Sequence, residues 1–458
     1  MTTTTSHLSQ IVDLARSSAD SSEAIALAKL RVMDFIAASC DGLLTDTSTM
    51  FDRYAKMSGG HAGATVLATG QRTTALLASA ANAATGHAAE TDDIHVDVTG
   101  LHAGAVVIPA AWAAAESAGV SGRQFLQGVV AGYEVAGRIG AAMNASHRAR
   151  GFHATGTVGV LGAAAAASIS AGDTDSVVIS SIGLSTSMAG GTFSVLAGGA
   201  QAKHLHPAHA AMSGVWAADL ARLGLDAAPT ALEVTDGYFS AYADAVDEVR
   251  LLGSHGSPEI ARVLVKPLPC CAHAYGAVEA AFALRDHANL DRLTAIKIET
   301  YHAASVLANR APTSRAEAKL SLPYCVVAAL REPALTEESF SDEAIDRVAK
   351  DPLMALISIE DSTWSNAAFP SRRLTRLSLA DRAGAVSSFD AEVLHRPTKN
   401  RDVIDQKFRA SVEPVLGSAI DELIDLIEHL DTKVDSLAHL TKFFSQTASS
   451  YRGGHRFI

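Results

Sequence analysis

Apolar residues recur every three to four positions through most of the first 250 residues, a pattern typical of helices that bury one face. The clearest run spans residues 25–36, follows Asp20 and Glu23 at the spacing of a capping box, and stops at the Asp41-Gly42 turn. Similar patterns predict further helices over residues 74–88, 109–118, 121–142, 157–170, 174–188 and 208–223. This part of the chain is therefore expected to be helical almost throughout.

The pattern changes near Pro258, where short β-type runs alternate with shorter helices. Strands are predicted over 295–300, 353–360, 374–380 and 389–394, the last two forming a hairpin across a glycine turn at 381–384. Helices are predicted over 316–330 and 342–349 and, after Pro397, over 402–410, 420–430 and 434–444. The expected fold class is mainly α: a large all-α helical domain from residues 1–257 with 398–458, and a smaller α+β domain over 258–397.

Composition narrows the possible functions. The 458 residues carry 37 basic and 49 acidic side chains, a net charge of −12, which provides no positive field for a polyanion. No nucleic acid partner is therefore expected. Hydrophobic residues make up 48% of the chain but aromatic residues only 5%, so the cores are expected to be closely packed, alanine-rich helices.

The sequence favours a reducing, cytoplasmic location. Its four cysteines are too few and too irregular for a disulfide framework, and residues 1–6 lack the basic start and apolar run of a signal peptide. Residues 154–172 and 176–202 are uncharged and long enough to span a membrane. Because they are rich in Gly, Ala, Ser and Thr, we interpret 158–167 and 177–188 as helices buried on all sides in a protein that has no membrane partner.

Histidine is the residue type that most needs explaining. There are 18, and eight lie between His87 and His209. The first group lies in a loop-like stretch, 87–104, together with several acids: Glu90, Asp92, Asp93, His95, Asp97 and His102. Loops on rigid scaffolds often carry functional sites, although a solvated acidic loop would also explain these charges.

Two further groups could act together with this loop. His153 precedes a predicted helix, whose free N–H groups suit a carboxylate, although a packing histidine is the alternative. Lys203, His204, His206 and His209 precede another helix and could hold an anion while imidazoles move protons. The histidines could instead bind zinc or iron, but HExxH and CxxC motifs are absent from the sequence, so no metal is expected.

A fourth group begins the second predicted domain. Lys266, His273, Tyr275 and Tyr324 are polar side chains among apolar neighbours. The adjacent pair Cys270-Cys271 has no recognisable base partner and is interpreted as packing rather than as a thiol nucleophile.

Taken in order, these segments resemble the MmgE/PrpD family of enzymes that act on small organic acids. The resemblance covers most of the chain and depends on the segments His102-Ala103-Gly104, 151–156 (GFHATG), Lys203 with His206, Pro269-Cys270-Cys271, 317–324 (EAKLSLPY) and Lys407-Phe408. It implies a large helical domain built from both chain ends, a smaller α+β lid domain, a homodimer, and a cofactor-free site in the cleft between the domains. The division expected from composition agrees with that layout.

The resemblance also implies which residues form the site. They are Asp92, Asp93, His102, His153, Lys203, His206 and Tyr324. Ile94 stands where members that act on aconitate-like acids often have Thr or Ser. Tyr275 falls where the family has a histidine, with His273 two positions earlier.

Such enzymes share one difficult step, the gain or loss of a proton on carbon next to a carboxylate, which needs a positioned base and nearby positive charge. Lys203 and His206 suit the role of the positive charge, and His102 or His153 suits the role of the base. Asp92 or Asp93 could orient an imidazole. Elimination of water also needs an acid, for which Tyr275, His273 or Tyr324 is available.

The function predicted first is therefore a dehydratase of a small hydroxy di- or tricarboxylate, like 2-methylcitrate dehydratase. A decarboxylase of a cis-aconitate-like acid comes second and an epimerase third. From other classes, a metallohydrolase that uses the same histidines and a non-catalytic binder of organic acids remain as alternatives.

Overall fold

The computed structural model describes residues 6–197, 200–254, 256–369, 372–393, 397–398, 400–433 and 435–447. Helices dominate it. The helices are α1 His7–Ala19, α2 Ser22–Gly42, α3 Asp46–Ser58, α4 Ala75–Ala88, α5 Gly104–Ala118, α6 Gly122–Ala149, α7 Ala154–Thr157, α8 Gly159–Ser170, α9 Asp175–Ser185, α10 Leu205–Arg222, α11 Tyr238–Tyr242, α12 Glu248–Leu252, α13 Tyr275–Arg285, α14 His302–Ser305, α15 Arg315–Lys319, α16 Leu322–Arg331, α17 Asp342–Ala349, α18 Leu353–Leu356, α19 Thr363–Ala368, α20 Arg401–Leu416, α21 Ile420–Glu428 and α22 Ser436–Thr447. The strands are β1 Ala64–Val66, β2 Gln71–Thr73, β3 Ile94–His95, β4 Val263–Leu264, β5 Leu293–Thr300, β6 Ile357–Asp361, β7 Arg373–Asp381 and β8 Val386–Val393. The predicted fold class, mainly α with a smaller α+β part, is confirmed.

Small residues let the first helices pack closely. Every residue of α8 is buried, and a Cβ at Gly214 of α10 would lie 2.4 Å from the Cβ of Ala163 in α8. The prediction that 158–167 is buried on all sides is therefore confirmed, whereas the same prediction for 177–188 is wrong. The helix α9 is only half covered, because α8 and α10 pack on one side of it. In the described part of the chain, no helix is both long and apolar enough to cross a membrane.

The chain forms two large apolar cores. The first contains side chains from α1 to α10 together with Ile404, Phe408, Leu423 and Leu440 from the C-terminal helices. The second contains apolar side chains from 270–391 and is joined by Ile94. The domain bounds after residues 257 and 397 stay a prediction, and 1–5 and 448–458 of the predicted helical domain lie outside the described residues.

A four-stranded sheet organises the second core. Its strand order is β6-β5-β7-β8, with β5 and β6 parallel and the other pairs antiparallel. The predicted hairpin is present as β7 and β8, and Gly384 in its turn has φ 80°. The prediction of one strand over 353–360 is wrong in its first half, which forms α18 before β6 begins at Ile357. Leu394, the predicted end of the hairpin, lies outside the described residues.

Several helix starts differ from the predicted ones for reasons of capping. Ser21, not Asp20, caps α2 and accepts a hydrogen bond from the Ala24 N–H. The helix predicted from residue 109 begins at Gly104 and continues through Pro109. Its first N–H donates to Asp93 Oδ1 at 2.9 Å, so a carboxylate of the acidic loop caps α5 from eleven residues away. That long-range cap is invisible to local pattern reading.

Candidate active site

The acidic loop begins in a strained turn. The helix α4 ends at Ala88, and Glu90, two residues later, has φ 57°, the one positive value among described residues other than glycine. Such a conformation costs on the order of 1–2 kcal/mol for a residue with a side chain and persists where the surroundings hold it. The loop then forms β3, which pairs with β4, and ends at α5. The turn directs the Glu90 carboxylate into the protein.

Glu90 is buried between two lysines. One carboxylate oxygen pairs with Lys203 Nζ, and the other lies 3.0 Å from Lys266 Nζ. Burial alone raises the pKa of Glu90, but the two ammonium groups outweigh it and hold the pKa well below its usual value. The interaction also raises the pKa of Lys266 to about 12, despite its burial. Lys266 therefore stays charged beside the site.

Asp92 connects two imidazoles. Its Oδ2 lies 2.6 Å from His87 Nδ1 and 3.1 Å from His102 Nδ1, although the His102 contact lacks hydrogen-bond geometry. Its Oδ1 lies 3.8 Å from Lys266 Nζ. Burial opposes ionisation of Asp92, but His102, His87 and Lys266 outweigh it and hold the pKa well below normal. Since an ionised carboxylate only accepts, the His87 Nδ1 donates to Asp92.

Asp93 points to the scaffold instead. Its Oδ1 accepts from the Gly104 N–H, and its Oδ2 accepts from the Tyr133 hydroxyl. Burial and the neighbouring Asp34 raise the pKa of Asp93 to about 6, against the effect of its two donors. The two adjacent aspartates therefore have different surroundings and different roles.

His153 lies across from the loop. Its Nδ1 is 2.7 Å from His206 Nδ1, so one of these two rings donates and the other accepts. Its ring centre is 6.2 Å from that of His102 and 6.4 Å from that of His87. The hydroxyl of Thr155 accepts from the His102 backbone N–H at 3.1 Å and donates to the Gly100 carbonyl at 2.8 Å. The segment around His153 is thus joined to the end of the acidic loop.

Burial keeps these imidazoles neutral near pH 7. It lowers the pKa of His102 and of His206 to about 4 each, and that of His153 well below its usual value. Lys203 contributes to all three shifts through its positive charge. In this group, four buried atoms have no hydrogen-bond partner among the described residues: Asp92 Oδ1, His87 Nε2, His102 Nδ1 and His153 Nε2. Buried polar atoms without a hydrogen bond are costly unless a further polar molecule satisfies them.

The structure brings together five predicted site residues: Asp92, His102, His153, Lys203 and His206. Three others have partners elsewhere. The Tyr324 hydroxyl donates to the Ser339 carbonyl at 2.7 Å inside the second core, the Tyr275 hydroxyl to the Leu268 carbonyl at 2.9 Å, and His273 Nδ1 lies 2.9 Å from the Tyr301 hydroxyl. Tyr324 is placed by its packing against Phe340, which the motif could not show.

Sequence reasoning overlooked two members of the site. His87 lies in the last turn of α4, and its place at the start of the acidic segment was the available signal. Tyr133 lies in the middle of α6 and had no local signal, since its partner Asp93 is forty residues away. Ile94 points into the second core and so takes no part in the group of imidazoles.

Two groups of side chains could offer ligand atoms to a metal, namely His87, Asp92 and His102, and His95, Asp97 and Glu259. In the first, the 2.6 Å contact between His87 and Asp92 is a hydrogen bond, so a proton already occupies that position. In the second, Arg250 and Arg262 already supply positive charge to Asp97. The use of no metal stays a prediction.

A large cleft lies behind the acidic loop. Its volume is about 1690 Å³, and it is lined from the first core by Asp41 and Lys407, from the second by Glu337, and between them by Thr91 and Lys266. Thr91 of the acidic loop thus lines the cleft, whereas its neighbours Glu90 and Asp92 point to Lys203 and His87.

Comparison with known protein families identifies the family of this chain. Residues 6–248 match the MmgE/PrpD N-terminal domain and residues 268–432 the MmgE/PrpD C-terminal domain. The chain belongs to the MmgE/PrpD family, whose membership supports lyase-type chemistry.

Sequence identity with individual relatives is between 26% and 38%. The chain is 27% identical to human cis-aconitate decarboxylase over 438 residues, covering 89% of this chain and 87% of that protein. It is 26% identical to mouse cis-aconitate decarboxylase over 334 residues, covering 69% and 67%. It is 38% identical to the cis-aconitate decarboxylase-like protein oryM of Aspergillus oryzae over 145 residues, 30% of each chain.

Buried neutral histidines predict sensitivity to acid. Burial lowers the pKa of His204, whose Nδ1 lies 2.7 Å from the Thr47 hydroxyl, from 6.5 to about 3. As pH falls from 6.5 towards 3, the unfolded chain binds a proton at this position before the folded chain does, so stability is lost. In His204→Gln, the slope of unfolding free energy against pH should decrease by up to about 1.4 kcal/mol per pH unit, as measured by urea denaturation at several pH values.

The control is His61→Gln, because His61 is exposed. Its slope should match that of the unmodified protein. An unchanged slope in His204→Gln would show that His204 is not held neutral by the fold.

Proposed function

We propose that this protein is a cofactor-independent lyase that removes CO2 from a small unsaturated tricarboxylate of the cis-aconitate type. The observation that carries this proposal is the group of imidazoles beside two buried lysines, with four buried polar atoms that lack a hydrogen bond. Such a site offers positive charge for carboxylates and bases or acids for one proton transfer.

The charges of the site suit an anion of this class. The ammonium groups of Lys203 and Lys266 are matched by the carboxylates of Glu90 and Asp92, so the site offers cationic donors without an excess of negative charge. A bound tricarboxylate would bring negative charge to the rings and raise their pKa values, which allows His102 or His153 to carry a proton. Asp92 supports this role by orienting the imidazoles next to it.

The residues present can supply the one proton that the proposed decarboxylation consumes. The C–C bond to one carboxylate breaks and CO2 leaves, while the electron pair moves through the double bond to the carbon next to a remaining carboxylate. A proton from an imidazole forms the new C–H bond at that carbon. The lysines stabilise the enediolate charge that develops between these events.

Dehydration, which the sequence favoured first, is less well supported. Departure of hydroxide needs an acid, and the three candidate acids, Tyr275, His273 and Tyr324, all have partners outside the group of imidazoles. Decarboxylation of an unsaturated acid needs only the one proton donor that an imidazole of the group can provide, and no acid for a departing hydroxide. The names of the three relatives above all contain cis-aconitate decarboxylase, which also favours decarboxylation over dehydration.

The proposal is tested with candidate acids in deuterium oxide. We expect cis-aconitate to yield CO2 and a product that carries deuterium at one carbon, followed by NMR. Loss of water from citrate or 2-methylcitrate would instead identify a dehydratase, and C–H exchange or inversion in tartrate isomers an epimerase.

Two controls separate the remaining classes. Binding of these acids without exchange or turnover would identify a non-catalytic binder. Activity that disappears on chelation and returns with zinc would identify a metal enzyme and overturn the proposed mechanism.

Substitutions at the site should reduce turnover strongly. For His153→Gln and Lys203→Met, we expect kcat/KM to fall on the order of 100-fold or more, since each removes a proton carrier or a charge that the transition state needs. The measurement is the steady-state rate with whichever acid is turned over. His209→Gln is the matched control, because His209 lies on α10 near His206 but contacts Ser213. Near-normal turnover of either site variant would remove that residue from the mechanism.

A homodimer is also proposed, and an exposed apolar surface supports it. Five large apolar side chains are exposed on α3 and α10, namely Met50, Tyr54, Met57, Leu205 and Trp216. Phe51 of α3 and Met212 of α10 pack against one small apolar cluster, so the two helices are neighbours. Light scattering should give twice the chain mass, and Trp216→Glu should give the mass of one chain. Val249→Glu, at an exposed position on α12, should leave the mass unchanged. A monomeric unmodified protein would refute the dimer.

A further inference from the structure

Three lysines hold three consecutive carbonyl groups of the acidic loop. Lys319 Nζ lies 2.6 Å from the Ala89 carbonyl oxygen, Lys266 Nζ lies 3.0 Å from that of Glu90, and Lys407 Nζ donates to that of Thr91. These lysines come from α15, from the segment after β4, and from α20. Segments far apart in sequence thus meet on one short piece of backbone.

The loop needs such support for two reasons. Ala89 is the C-cap of α4, where unpaired carbonyls and the negative end of the helix dipole favour cations. The next residue, Glu90, has the positive φ that its side chain disfavours. Donors on all three carbonyls satisfy the helix end and fix the turn in one conformation.

Each ammonium group is itself fixed by a carboxylate. Both oxygens of Glu337 lie 2.7 Å from Lys319 Nζ, and Asp34 Oδ1 lies 2.5 Å from Lys407 Nζ. Lys319 is 1% exposed, and the side chain of Lys407 is 12% exposed. The donors therefore behave as fixed points rather than as mobile surface side chains.

Lys319 and Lys407 contact the acidic loop through its backbone. They hold the carbonyls of Ala89 and Thr91, whereas the side chains of Glu90 and Asp92 point to Lys203 and His87. Lys266 differs, because it also pairs with the Glu90 carboxylate. Lys319 and Lys407 therefore hold the loop without replacing any partner of the Glu90 or Asp92 side chains.

We propose that Lys319 and Lys407 are positioning residues, which hold residues 89–91 so that Glu90 and Asp92 are aligned with the two lysines and the imidazoles. Their effect on turnover rests on the proposed function, whereas their effect on the loop does not. A displacement of about 1 Å at reacting groups can cost about 100-fold in rate, so loosening this backbone should lower kcat more than it raises KM.

The first experiment measures hydrogen exchange of the backbone in the full chain. The variants are Lys319→Met with Glu337→Gln, so that no unpaired carboxylate remains, and Lys407→Met. We expect amides in residues 87–93 to exchange about tenfold faster or more, while those of α8 exchange as in the unmodified protein. Unchanged exchange in the loop, or equal acceleration in α8, would overturn the proposal.

Lys29→Met is the matched control, because Lys29 also pairs a backbone carbonyl, that of Glu428 at 2.8 Å, with a carboxylate, that of Asp431 at 2.6 Å. It should leave exchange in residues 87–93 and turnover unchanged. A loss of protection in the acidic loop of this variant would show that the effect is general destabilisation.

The second experiment measures kcat and KM separately. The Lys319→Met/Glu337→Gln variant and the Lys407→Met variant should each lose about 10- to 100-fold in kcat with a smaller change in KM. Lys319→Arg keeps a charged donor and should therefore recover part of the loss. Normal kcat in both variants would overturn the positioning role. If the unmodified protein turns over none of the acids, the proposed function fails, while the exchange measurement still decides whether the lysines hold the loop.

Discussion

The buried carboxylate of Glu90 is the interaction on which the site depends. It stands between Lys203, which precedes α10, and Lys266, which follows β4, and no other carboxylate of the described residues pairs with both. Removing one partner from a buried charge network leaves an uncompensated charge, a change that typically costs about 3–5 kcal/mol. The strained turn at Glu90 persists because this network, together with the lysines on its backbone, outweighs the cost of the conformation.

The local charges at the candidate site differ from those of the whole chain. The net charge of −12 belongs to the whole sequence, whereas Lys203 and Lys266 are matched by Glu90 and Asp92 next to the buried rings of His102 and His153. Burial lowers the pKa of both rings, so they add no positive charge near pH 7. Under the proposed function, a bound anion would change this balance by raising the pKa values of the rings.

Local sequence signals predicted the parts of the fold that local interactions determine. The helix at 74–88, the helix at 342–349 and the hairpin around Gly384 follow from caps, periodicity and turn residues, all within a few positions. The start of α5 could not be predicted in this way, because its cap comes from Asp93. For the site, histidine clustering and motif order pointed to segments that the structure brings together, but they could not show that Tyr324 points into the second core or that His87 contacts Asp92.

The two adjacent aspartates show why residue type and sequence position are not sufficient to predict what a side chain contacts. Successive side chains in an extended segment point to opposite sides, so Asp92 reaches the imidazoles while Asp93 reaches Tyr133 and the first turn of α5. The cations and imidazoles around Asp92 lower its pKa, whereas burial and Asp34 raise that of Asp93 to about 6. Because Asp93 accepts from the N–H group that starts α5, it fixes the loop to that helix at the residue next to the one that orients the imidazoles. Asp93 thus joins the loop to the helices while Asp92 contacts the imidazoles. A displacement of Asp93 would therefore also move Asp92.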